Sequence, residues 1–499
     1  MEEKTKSKWK PVIGMEVHIQ PKTESKMFCR CKNDPFCKDP NIHTCPVCTA
    51  QPGALPVPNE KAIEEVLKLG LALSCKIADY SCFARKSYFY PDLPKGYQIS
   101  QYDNPFCQKG ELSFNGKKVR INRIHLEEDA GKNFHPKGTE YTLVDLNRAG
   151  VPLIELVTEP DIESALDARR FCEELQLILR YLKISDADME KGQMRCEANI
   201  SLVPVNTKEK DKLKGTKVEV KNLNSFKAVE RSIDFEIKRQ ARILGRGEKV
   251  KAETRGWSEG KQGTVSQRSK EEASEYRYFP EPDIPPIFVD RKNLKILEEE
   301  LPELPEEFRK RLKKEYGISE KSIAILATEK ELGNFFEEAA SELLAWWEDE
   351  QKGKKFPKEI YQLLANYLVT EIKKYLSVEK RKVEEILCTP ENLAELVMML
   401  YENKINSSAA QTILGRILKK GGDPSQVAKE LDLIQISDVG VLEKAVRKVI
   451  KENPAPVAEF QAGKEKTLQY LIGLVMKETK GKANPQKVAE IIKKLTTCD

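Results

Sequence analysis

The sequence predicts an α+β protein, in which a β-rich N-terminal part with flanking helices precedes an almost wholly helical remainder. In several segments between residue 11 and about residue 290, apolar residues alternate with polar ones, as in strands with one buried face. Four prolines between residues 280 and 286 then interrupt regular structure. Beyond them the chain is rich in Glu, Lys, Leu and Ala and has few β-branched runs, a composition typical of helices.

Three segments show the strand pattern most clearly. They are PVIGMEVHIQ (11–20), RCEANISL (195–202) and GTKVEVKN (215–222). In the first, Glu16 and His18 fall on the polar face, opposite a face of aliphatic side chains. In the other two, the polar positions include Arg195 and Glu219. Each segment therefore predicts a strand that buries one side and presents charged groups on the other.

Helices are predicted where apolar residues recur every three or four positions. In the N-terminal part these are residues 60–74, 164–182 and 225–244, and the last begins at Asn224 or Ser225, both good N-cap residues. In the C-terminal part the strongest are residues 466–481 and 484–496. A second, softer boundary is predicted near the GGDPSQ segment at residues 421–426.

Length and composition exclude several classes of protein. A chain of 499 residues predicts several domains, and 40% hydrophobic residues suffice for their cores. The net charge of +5 argues against a general nucleic-acid coat, although a local basic face can still bind RNA. The charged N-terminus is not a secretory signal, and no run of about 18 apolar residues predicts a membrane span. We therefore expect a cytoplasmic protein.

Twelve cysteines are present, and four of them form the close pairs Cys29-x-Cys31 and Cys45-x-x-Cys48. Two such pairs on two turns match the tetrahedral thiolate coordination of Zn²⁺, and with all four positions filled the metal would be structural. Cys37 and His43, inside the intervening loop, are alternative ligands for one position. The other interpretation is four unrelated thiols. A redox pair is disfavoured because no thioredoxin-like βαβ context surrounds it.

An acidic cluster is the main candidate for chemistry. Glu155 interrupts the apolar run VPLIELV, where a carboxylate is costly to bury unless it is paired or binds a metal. Glu127, Glu128 and Asp129 directly follow a predicted strand. Together with Glu16 and Glu219 these oxygen ligands suit Mg²⁺. Because Mg²⁺ prefers oxygen to imidazole, His18 either orients a water or indicates a site that accepts Mn²⁺. For any one of these carboxylates taken alone, an ordinary exposed position in a Glu-rich protein is the favoured interpretation.

Basic residues near the cluster are candidates for contacting phosphate. They are Arg85, Lys86, Lys95, Arg123, Lys132, Arg148 and Arg195. The sequence contains no GxxxxGK[ST] loop, kinase glycine loop or GxGxxG motif. If ATP is used, it is bound without a common phosphate-binding motif.

Long motifs identify a resemblance. GMEVHIQ, FARKSYFYPDLPKGYQISQ, HLEEDAGK, VDLNRAGVPLIELVTEPD, EVKNLNSF, YRYFPEPDIPP and GLVMKETKGKANP follow one another in the order and spacing seen in GatB, the B subunit of the aspartyl/glutamyl-tRNA(Asn/Gln) amidotransferases, or GatCAB complexes. The archaeal paralogue, GatE of the GatDE enzyme, is similar in its N-terminal motifs but carries a large insertion before the tail. This chain passes from EPDIPP directly into helices, so it resembles GatB.

The resemblance implies a domain plan and an activity. It implies a catalytic cradle domain at residues 1–292 holding ATP, Mg²⁺ and the aminoacyl-tRNA 3′ end, a helical domain at 293–424, and a helical tail at 425–499 contacting tRNA. It further implies ATP-dependent phosphorylation of the side-chain carboxylate on misacylated Glu-tRNA(Gln) or Asp-tRNA(Asn). Ammonia from a glutaminase (amidase) subunit, GatA, would then displace the phosphate, and a small third subunit, GatC, would complete the heterotrimer.

The resemblance also implies site residues. The Mg²⁺ ligands match Glu16, His18, Glu128, Glu155 and Glu219, and the zinc cysteines match Cys29, Cys31, Cys45 and Cys48. Candidates for contacting the cofactor are Arg195, Lys86 and Lys95, and candidates for lining the ammonia path are Lys86, Tyr88 and Lys95. The expected tRNA-contacting lysines of the helical tail are Lys419, Lys420, Lys477, Lys480, Lys482, Lys487, Lys493 and Lys494.

The sequence leaves open two alternatives to a ligase component. The first is a non-catalytic tRNA-binding scaffold of the same complex, although a scaffold would not need Glu155 in an apolar strand. The second is a free-standing synthetase-like ligase, against which stands the absence of any amidase signature in this sequence.

Overall fold

A computed structural model describes residues 8–208, 211, 215–269, 276–351, 353–435, 439–479 and 482–496. It divides into two compact units, Met1–Glu306 and Glu307–Asp499. Over the residues described, the first holds the strands together with four helices, and the second is helical. The predicted α+β class is confirmed.

The strands of the first unit are β1 (Trp9–Ile19), β2 (Lys76–Ile77), β3 (Tyr80–Ser81), β4 (Ala84–Ser87), β5 (Tyr97–Ser100), β6 (Cys107–Phe114), β7 (Lys117–Glu128), β8 (Lys132–Phe134), β9 (Leu143–Asp145), β10 (Pro152–Thr158), β11 (Met194–Pro204), β12 (Val218–Leu223), β13 (Glu253–Ser258), β14 (Gly263–Ser269), β15 (Phe279–Pro280) and β16 (Ile287–Phe288). Its helices are α1 (Glu60–Ala72), α2 (Ala165–Tyr181), α3 (Phe226–Gly245) and α4 (Arg291–Glu299).

The helices of the second unit are α5 (Pro305–Glu315), α6 (Glu320–Thr328), α7 (Lys330–Glu350), α8 (Glu359–Tyr367), α9 (Lys373–Glu379), α10 (Pro390–Tyr401), α11 (Ser407–Lys420), α12 (Pro424–Glu430), α13 (Val439–Glu452), α14 (Pro454–Gln461), α15 (Glu465–Glu478) and α16 (Pro485–Thr496). A π-helical turn (Leu368–Ile372) joins α8 to α9.

Among the residues described, nine strands form one sheet in the order β14-β13-β12-β11-β1-β10-β7-β6-β2. Adjacent strands run antiparallel except β12 and β13, which are parallel. β1 therefore lies near the middle, between β10 and β11. A smaller sheet, β15-β4-β5, carries the segment around Lys86.

The period of two in β1 decides how the main sheet packs. Ile13, Met15, Val17 and Ile19 are fully or almost fully buried and belong to one core with apolar residues of α1, α2 and α3. Because successive side chains point to opposite faces, Glu16 and His18 project from the other face. The helices thus cover one side of the sheet and leave the charged side chains of β1 on the opposite side.

Three predicted helices of this unit are confirmed, and each begins at a polar cap. The side chains of Asn59, Ser164 and Ser225 accept hydrogen bonds from backbone N–H groups in the first turns of α1, α2 and α3. Ser225 rather than Asn224 is therefore the N-cap of α3. Asn222 lies just before it with a positive φ of 64°, a backbone region that Asn tolerates better than most residues.

The second unit contains two separate cores. The larger is formed by residues between Phe308 and Ala428, and the smaller by residues between Leu442 and Ile492. α12 contributes Val427 and Ala428 to the larger core, so the change from one core to the next occurs after α12. α4 packs with the first unit through Leu294. The helices predicted at 466–481 and 484–496 are confirmed as α15 and α16.

Candidate functional site

A row of charged side chains crosses the face of the main sheet that the helices leave uncovered. The register of β1 places His18 opposite Glu155 of β10 and opposite Arg195 of β11. Directly paired residues in antiparallel strands point to the same face, so these side chains lie side by side. β7 extends the row, because His125 is the partner of Glu155.

The centre of this row is a group of four side chains, namely His18 and three carboxylates around it. Its Nε2 lies 3.4 Å from Glu155 Oε2, 3.6 Å from Glu127 Oε1 and 3.9 Å from Glu16 Oε1. Neighbouring ligands of an octahedral Mg²⁺ are separated by roughly 3 Å. Glu16, His18 and Glu155 each place one ligand atom within 4.8 Å of the others, and Glu127 adjoins this trio through His18. Carboxylate oxygens gathered in this way suit a small divalent cation.

His125 forms a second, fully buried arm of the same row. Its Nε2 lies 3.4 Å from Glu155 Oε2 and 3.9 Å from Glu127 Oε2, and its Nδ1 is buried without a hydrogen-bond partner. Burial lowers the pKa of His125, although the Glu155 and Glu127 carboxylates act in the opposite direction. Arg123 approaches the other oxygen of Glu155 at 3.4 Å. Glu155 is thus a buried carboxylate with partners on three sides, which explains how an apolar strand tolerates it.

A third acidic group lies on the far side of β1. Glu16, Glu197 and Glu219 place one oxygen each within 4.8 Å of one another. Lys221 Nζ lies 2.8 Å from Glu197 and 3.3 Å from Glu219, and Thr254 donates a hydrogen bond to Glu219. The charged row consequently extends from β7 to β12, and Glu16 belongs both to this group and to the central one.

Proton affinities in the row reflect burial and like charge. Burial and the neighbouring carboxylates of Glu155 and Glu197 raise the pKa of Glu16 to about 7. Burial alone would lower the pKa of His18, but its hydrogen bond with Glu155 and the surrounding carboxylates raise it to about 9. Burial would raise the pKa of Glu155, but His125 and His18 outweigh this effect and hold that pKa well below the usual range. The row therefore combines a carboxyl group with a raised pKa, Glu16, and one with a lowered pKa, Glu155.

The row forms the floor of a cavity of about 1390 Å³. Lys86 lines its wall, 5.1 Å above the ring of Tyr276. Burial would lower the pKa of Lys86, but the Glu127 and Glu155 carboxylates outweigh this and raise it above the ordinary lysine value. The ammonium is thus held charged over an acidic floor, where a phosphate or carboxylate of a substrate would meet it.

Aromatic side chains surround the mouth of this cavity. Tyr102 and Tyr278 stack with ring centroids 4.0 Å apart, and Tyr278 also contacts Tyr276 edge-on. Phe89 and Tyr90 line the same cavity and are 84% and 59% exposed. Large exposed rings beside a charged cavity are typical of surfaces that stack unpaired bases.

Asp129 occupies one end of the cavity and anchors Arg195. Arg195 Nη2 donates to its carboxylate at 2.7 Å, and Gln20 Nε2 donates at 3.1 Å. Burial would raise the pKa of Asp129, but the guanidinium groups of Arg195 and Arg148 outweigh it and lower that pKa. The ion pair with the buried Asp129 carboxylate therefore fixes Arg195 at the edge of the cavity floor. Asp129 is the first residue after β7.

Comparison with known proteins identifies the family. The family model described as the GatB/GatE catalytic domain matches residues 11–295, and one described as the GatB domain matches residues 350–495. The chain is 47% identical to the B subunit of the aspartyl/glutamyl-tRNA(Asn/Gln) amidotransferase of Thermotoga neapolitana over 496 residues, which is 98% of this chain and 99% of that protein. Proteins of the same name from Carboxydothermus hydrogenoformans and Persephonella marina are 44% and 45% identical. The first match covers 97% of this chain and 98% of the relative, and the second 98% and 99%.

The chain belongs to the GatB family of amidotransferase B subunits. As a member of that family it is a component of a tRNA-dependent amidotransferase. Four of the five side chains expected as magnesium ligands, Glu16, His18, Glu155 and Glu219, lie in the charged row.

Glu128 lies on the other side of β7. Its Oε2 accepts from Lys95 Nζ at 2.5 Å and its Oε1 accepts from the backbone N–H of Ile99 at 2.9 Å. Glu127, the preceding residue, is the one that faces His18 and Glu155. Lys95 is thereby held against Glu128, whereas Lys86 and Arg195 line the cavity. Tyr88 lines the cavity next to Lys86 and is hydrogen-bonded to Gln98.

The other basic candidates have separate partners. Arg85 forms a bidentate pair with the buried carboxylate of Glu281 and so ties β4 to the segment after β15. Arg148 donates to the carbonyls of Ala130 and Gly131. Lys132 lies over the ring of Phe134. The contacts of Arg85 and Arg148 join separate segments of the chain, whereas Lys132 and Phe134 lie in the same strand, β8.

Sequence reasoning did not single out His125, Glu197 or Lys221 as site residues. Glu197 stood on the polar face of a predicted strand, and alternation with Glu127 would have placed His125 on the same face as that carboxylate. Lys221 has the same relation to Glu219. Periodicity could therefore have placed these three residues on polar strand faces. It could not have shown which strands are neighbours in the sheet.

The four paired cysteines come together in one cluster. The sulfurs of Cys29, Cys31, Cys45 and Cys48 all lie within 4.8 Å of one another. The Cys45 and Cys48 sulfurs are 3.9 Å apart, close to the roughly 3.8 Å expected between thiolates on a tetrahedral Zn²⁺. The hydrogen bond with Cys29, opposed by burial and aided by the Lys26 ammonium, lowers the pKa of Cys48 to about 4. This donor set fits a metal ion of the zinc class.

Lysines in the C-terminal half lie mainly on the surface. Lys419, Lys420, Lys477, Lys493 and Lys494 are exposed, whereas Lys482 and Lys487 are half-buried. Lys482 is paired with Asp432, and Lys419 lies 3.7 Å from Glu379. Lys480 lies outside the described residues. Among the helices described, none is long and apolar enough to cross a membrane.

Proposed function

We propose that this chain uses ATP to phosphorylate the side-chain carboxylate of misacylated Glu-tRNA(Gln), Asp-tRNA(Asn) or both, and that ammonia then converts the product into the amide. The proposal rests on its family and on one observation in the structure. That observation is the overlap of three groups of possible cation ligands on the floor of a single cavity, with Lys86 on its wall. Carboxylates with a nearby ammonium suit the positioning and charge neutralisation that phosphoryl transfer requires.

The central group supplies the proposed cation ligands, namely Glu16, His18, Glu127 and Glu155. Glu219 would contribute through the neighbouring group that shares Glu16. A bound Mg²⁺ would neutralise phosphate charge and align the reacting oxygens. Glu128, which holds Lys95 and the backbone of β5, would act as a positioning residue for the cavity wall.

The proposed reaction has two steps, a transfer of phosphate from ATP and an attack by ammonia. A carboxylate oxygen of the aminoacyl group attacks the terminal phosphorus of ATP, and the bond from that phosphorus to ADP breaks. Ammonia then attacks the acyl carbon, the bond from carbon to phosphate oxygen breaks, and the departing phosphate or solvent takes one proton. Lys86 and Arg195 would hold the phosphate oxygens, because both are basic side chains that line the cavity.

The family and the cavity also lead to proposals about binding partners. We infer that ammonia is delivered by a glutaminase partner, GatA, with the small protein GatC in the same heterotrimer, as the naming of the relatives as B subunits suggests. Tyr88, beside Lys86, is the proposed lining of the last part of the ammonia path. The exposed aromatic rim supports stacking of the tRNA 3′ end, and the basic tail supports contacts to tRNA phosphates. The cysteine cluster is proposed to hold a structural Zn²⁺.

Glu155→Gln tests the catalytic proposal. Replacing the carboxylate removes a ligand shared by two groups, so amide formation on Glu-tRNA by the reconstituted complex should fall by at least about 10²-fold. Glutamine hydrolysis by the glutaminase partner should stay measurable, because it does not need this cavity.

Glu111→Gln serves as the matched control, since Glu111 is a half-exposed residue on β6 that is paired with Lys118. It should leave amide formation unchanged. Glu128→Gln should give a smaller loss than Glu155→Gln. Normal amide formation by Glu155→Gln would instead favour the alternative of a tRNA-binding scaffold whose acidic row is structural.

A further inference from the structure

Outside the catalytic cavity and the four-cysteine cluster, three different metal-ligating side chains converge in the loop between the cysteine pairs. Asp34, Cys37 and His43 each place one ligand atom within 4.8 Å of the others. The His43 Nε2 atom lies 3.8 Å from Asp34 Oδ2. Ligand atoms on a tetrahedral ion of the zinc class lie roughly 3.2–3.8 Å apart. The trio therefore needs to close by about 1 Å or less to surround an ion.

The loop that carries the trio is fixed before any ion binds. The Asn41 side chain donates to the carbonyl of Val144 and accepts from the backbone N–H of Leu146. The Asn147 side chain accepts from the backbone N–H of His43 and donates to the carbonyl of Asp39. These hydrogen bonds clamp the loop on both sides of residue 41. His43 is thereby oriented by contacts that do not involve Asp34 or Cys37.

The other two ligands belong to one turn. The backbone N–H of Cys37 donates to the carbonyl of Asp34 at 3.4 Å, which brings the two side chains to the same side of the loop. The competing partner of Asp34 is Lys32, at 3.1 Å, and the Lys32 side chain is 66% exposed. An exposed ion pair of this kind is weak, so an incoming ion would displace it readily.

We propose that Asp34, Cys37 and His43 form a second metal site, separate from the four-cysteine cluster and selective for a borderline divalent ion such as Zn²⁺. One sulfur, one imidazole nitrogen and one carboxylate oxygen suit Zn²⁺ and disfavour Mg²⁺. All three residues are half-buried, so an ion can enter and a water can take the fourth position. A bound ion cross-links the two arms of the loop.

The test is zinc binding by the full-length chain at equilibrium, with a reductant present. After removal of metal by a chelator, wild type should bind one Zn²⁺ more per chain than Cys37→Ser or His43→Gln. Cys82→Ser is the matched control, because Cys82 is also half-buried but belongs to neither group. It should bind as much as wild type. Equal binding by wild type, Cys37→Ser and His43→Gln would overturn the proposal.

Hydrogen exchange separates this site from the four-cysteine cluster. In Cys45→Ser, which disrupts the four-cysteine cluster, added Zn²⁺ should still slow amide exchange across residues 34–43 by several-fold. In Cys37→Ser/Cys45→Ser the same addition should leave those amides unchanged. Slowing in this double variant equal to that in Cys45→Ser would mean that the ion binds elsewhere and would exclude the trio as a site. Neither readout depends on the activity of the complex.

Discussion

At the scale of single residues, the environment of Glu16 favours the neutral carboxyl near neutral pH. Glu155 and Glu197 add negative charge to a group that is already largely removed from water, and the pKa of Glu16 rises to about 7. A cation that binds there must displace the proton. Glu16 is thus the side chain through which pH should act on the proposed cation site.

We predict that protonation of Glu16 weakens Mn²⁺ binding by about tenfold for each pH unit below 7, because the protonated carboxyl is a poor ligand. Above pH 7 the carboxylate is already formed and this contribution disappears. Electron paramagnetic resonance of free Mn²⁺ measures the affinity directly. Glu16→Gln should bind more weakly at pH 8 and lose this dependence. An affinity that is constant between about pH 6 and 7 in wild type would contradict the assignment.

His18 gives a second prediction at this scale. Its pKa of about 9 means that the ring is protonated at neutral pH in the metal-free chain. If its nitrogen binds the ion directly, Mn²⁺ affinity should rise with pH between about 7 and 9, and His18→Gln should abolish that rise. Contact through a water would leave the affinity nearly flat in this range. The same titration therefore distinguishes the two roles that the sequence left open for His18.

Among single residues, Glu155 is the one that the sequence predicted best. A carboxylate in an apolar run must have partners, and the structure supplies His18, His125 and Arg123. The pair Glu127 and Glu128 could not be separated in the same way. Two adjacent carboxylates point to opposite faces of a strand, and which face meets β1 and β10 depends on pairing that no local pattern contains.

At the scale of elements, α3 lies against the strands that carry Glu197 and Glu219. Its residues Val229 and Ile233 are fully buried in the first core, and Phe235 packs edge-on against Trp257 of β13. The helix begins at Ser225, whose hydroxyl accepts from the N–H of Ala228 at 3.1 Å. The start of α3 follows β12 almost directly, so the cap also fixes how the strand enters the helix.

We predict that Ser225→Ala lowers the free energy of unfolding by about 1 kcal/mol, because an N–H in the first turn of α3 loses its partner. Ser225→Asp, which keeps a side-chain acceptor at the same position, should be nearly neutral. Urea unfolding followed by circular dichroism gives the comparison. A Ser225→Ala midpoint equal to that of wild type would show that water replaces the cap without cost.

Elements were predictable to the extent that their signals are local. The strand over residues 11–20 and the helices at 164–182 and 225–244 followed from periodicity and N-caps, and the structure confirms them. The short strands β4, β5 and β15 carry no such signal. β4 pairs with the nearby β5, but β15 joins them from a segment almost 200 residues away, where Glu281 also pairs with Arg85.

At the scale of the whole molecule, the described residues form three cores. The first lies under the main sheet, and the other two belong to the second unit. Because α12 belongs to the second core, a cut at residue 424 would expose part of that core. A cut after residue 435 leaves α12 in place and removes the third core entire.

We predict that truncation after residue 435 raises KM for aminoacyl-tRNA by roughly tenfold or more and changes kcat much less, because the removed helices carry lysines that we propose contact tRNA phosphates. Steady-state kinetics of the reconstituted complex over a range of salt concentrations provides the measurement. The truncated chain should also show a weaker dependence on salt. A loss confined to kcat would mean that the tail shapes the catalytic cavity.

The sequence by itself determined the α+β class, the polar face of β1, the clustering of the four cysteines and the resemblance that the comparisons confirm. These properties follow from periodicity, spacing and motif order, which are written along the chain. Only the tertiary structure decided that Glu127 and not Glu128 faces His18, that His125 joins the row, and that Asp34, Cys37 and His43 converge. Each depends on which segments lie side by side, and strand order and loop anchoring are set by packing between residues far apart in sequence.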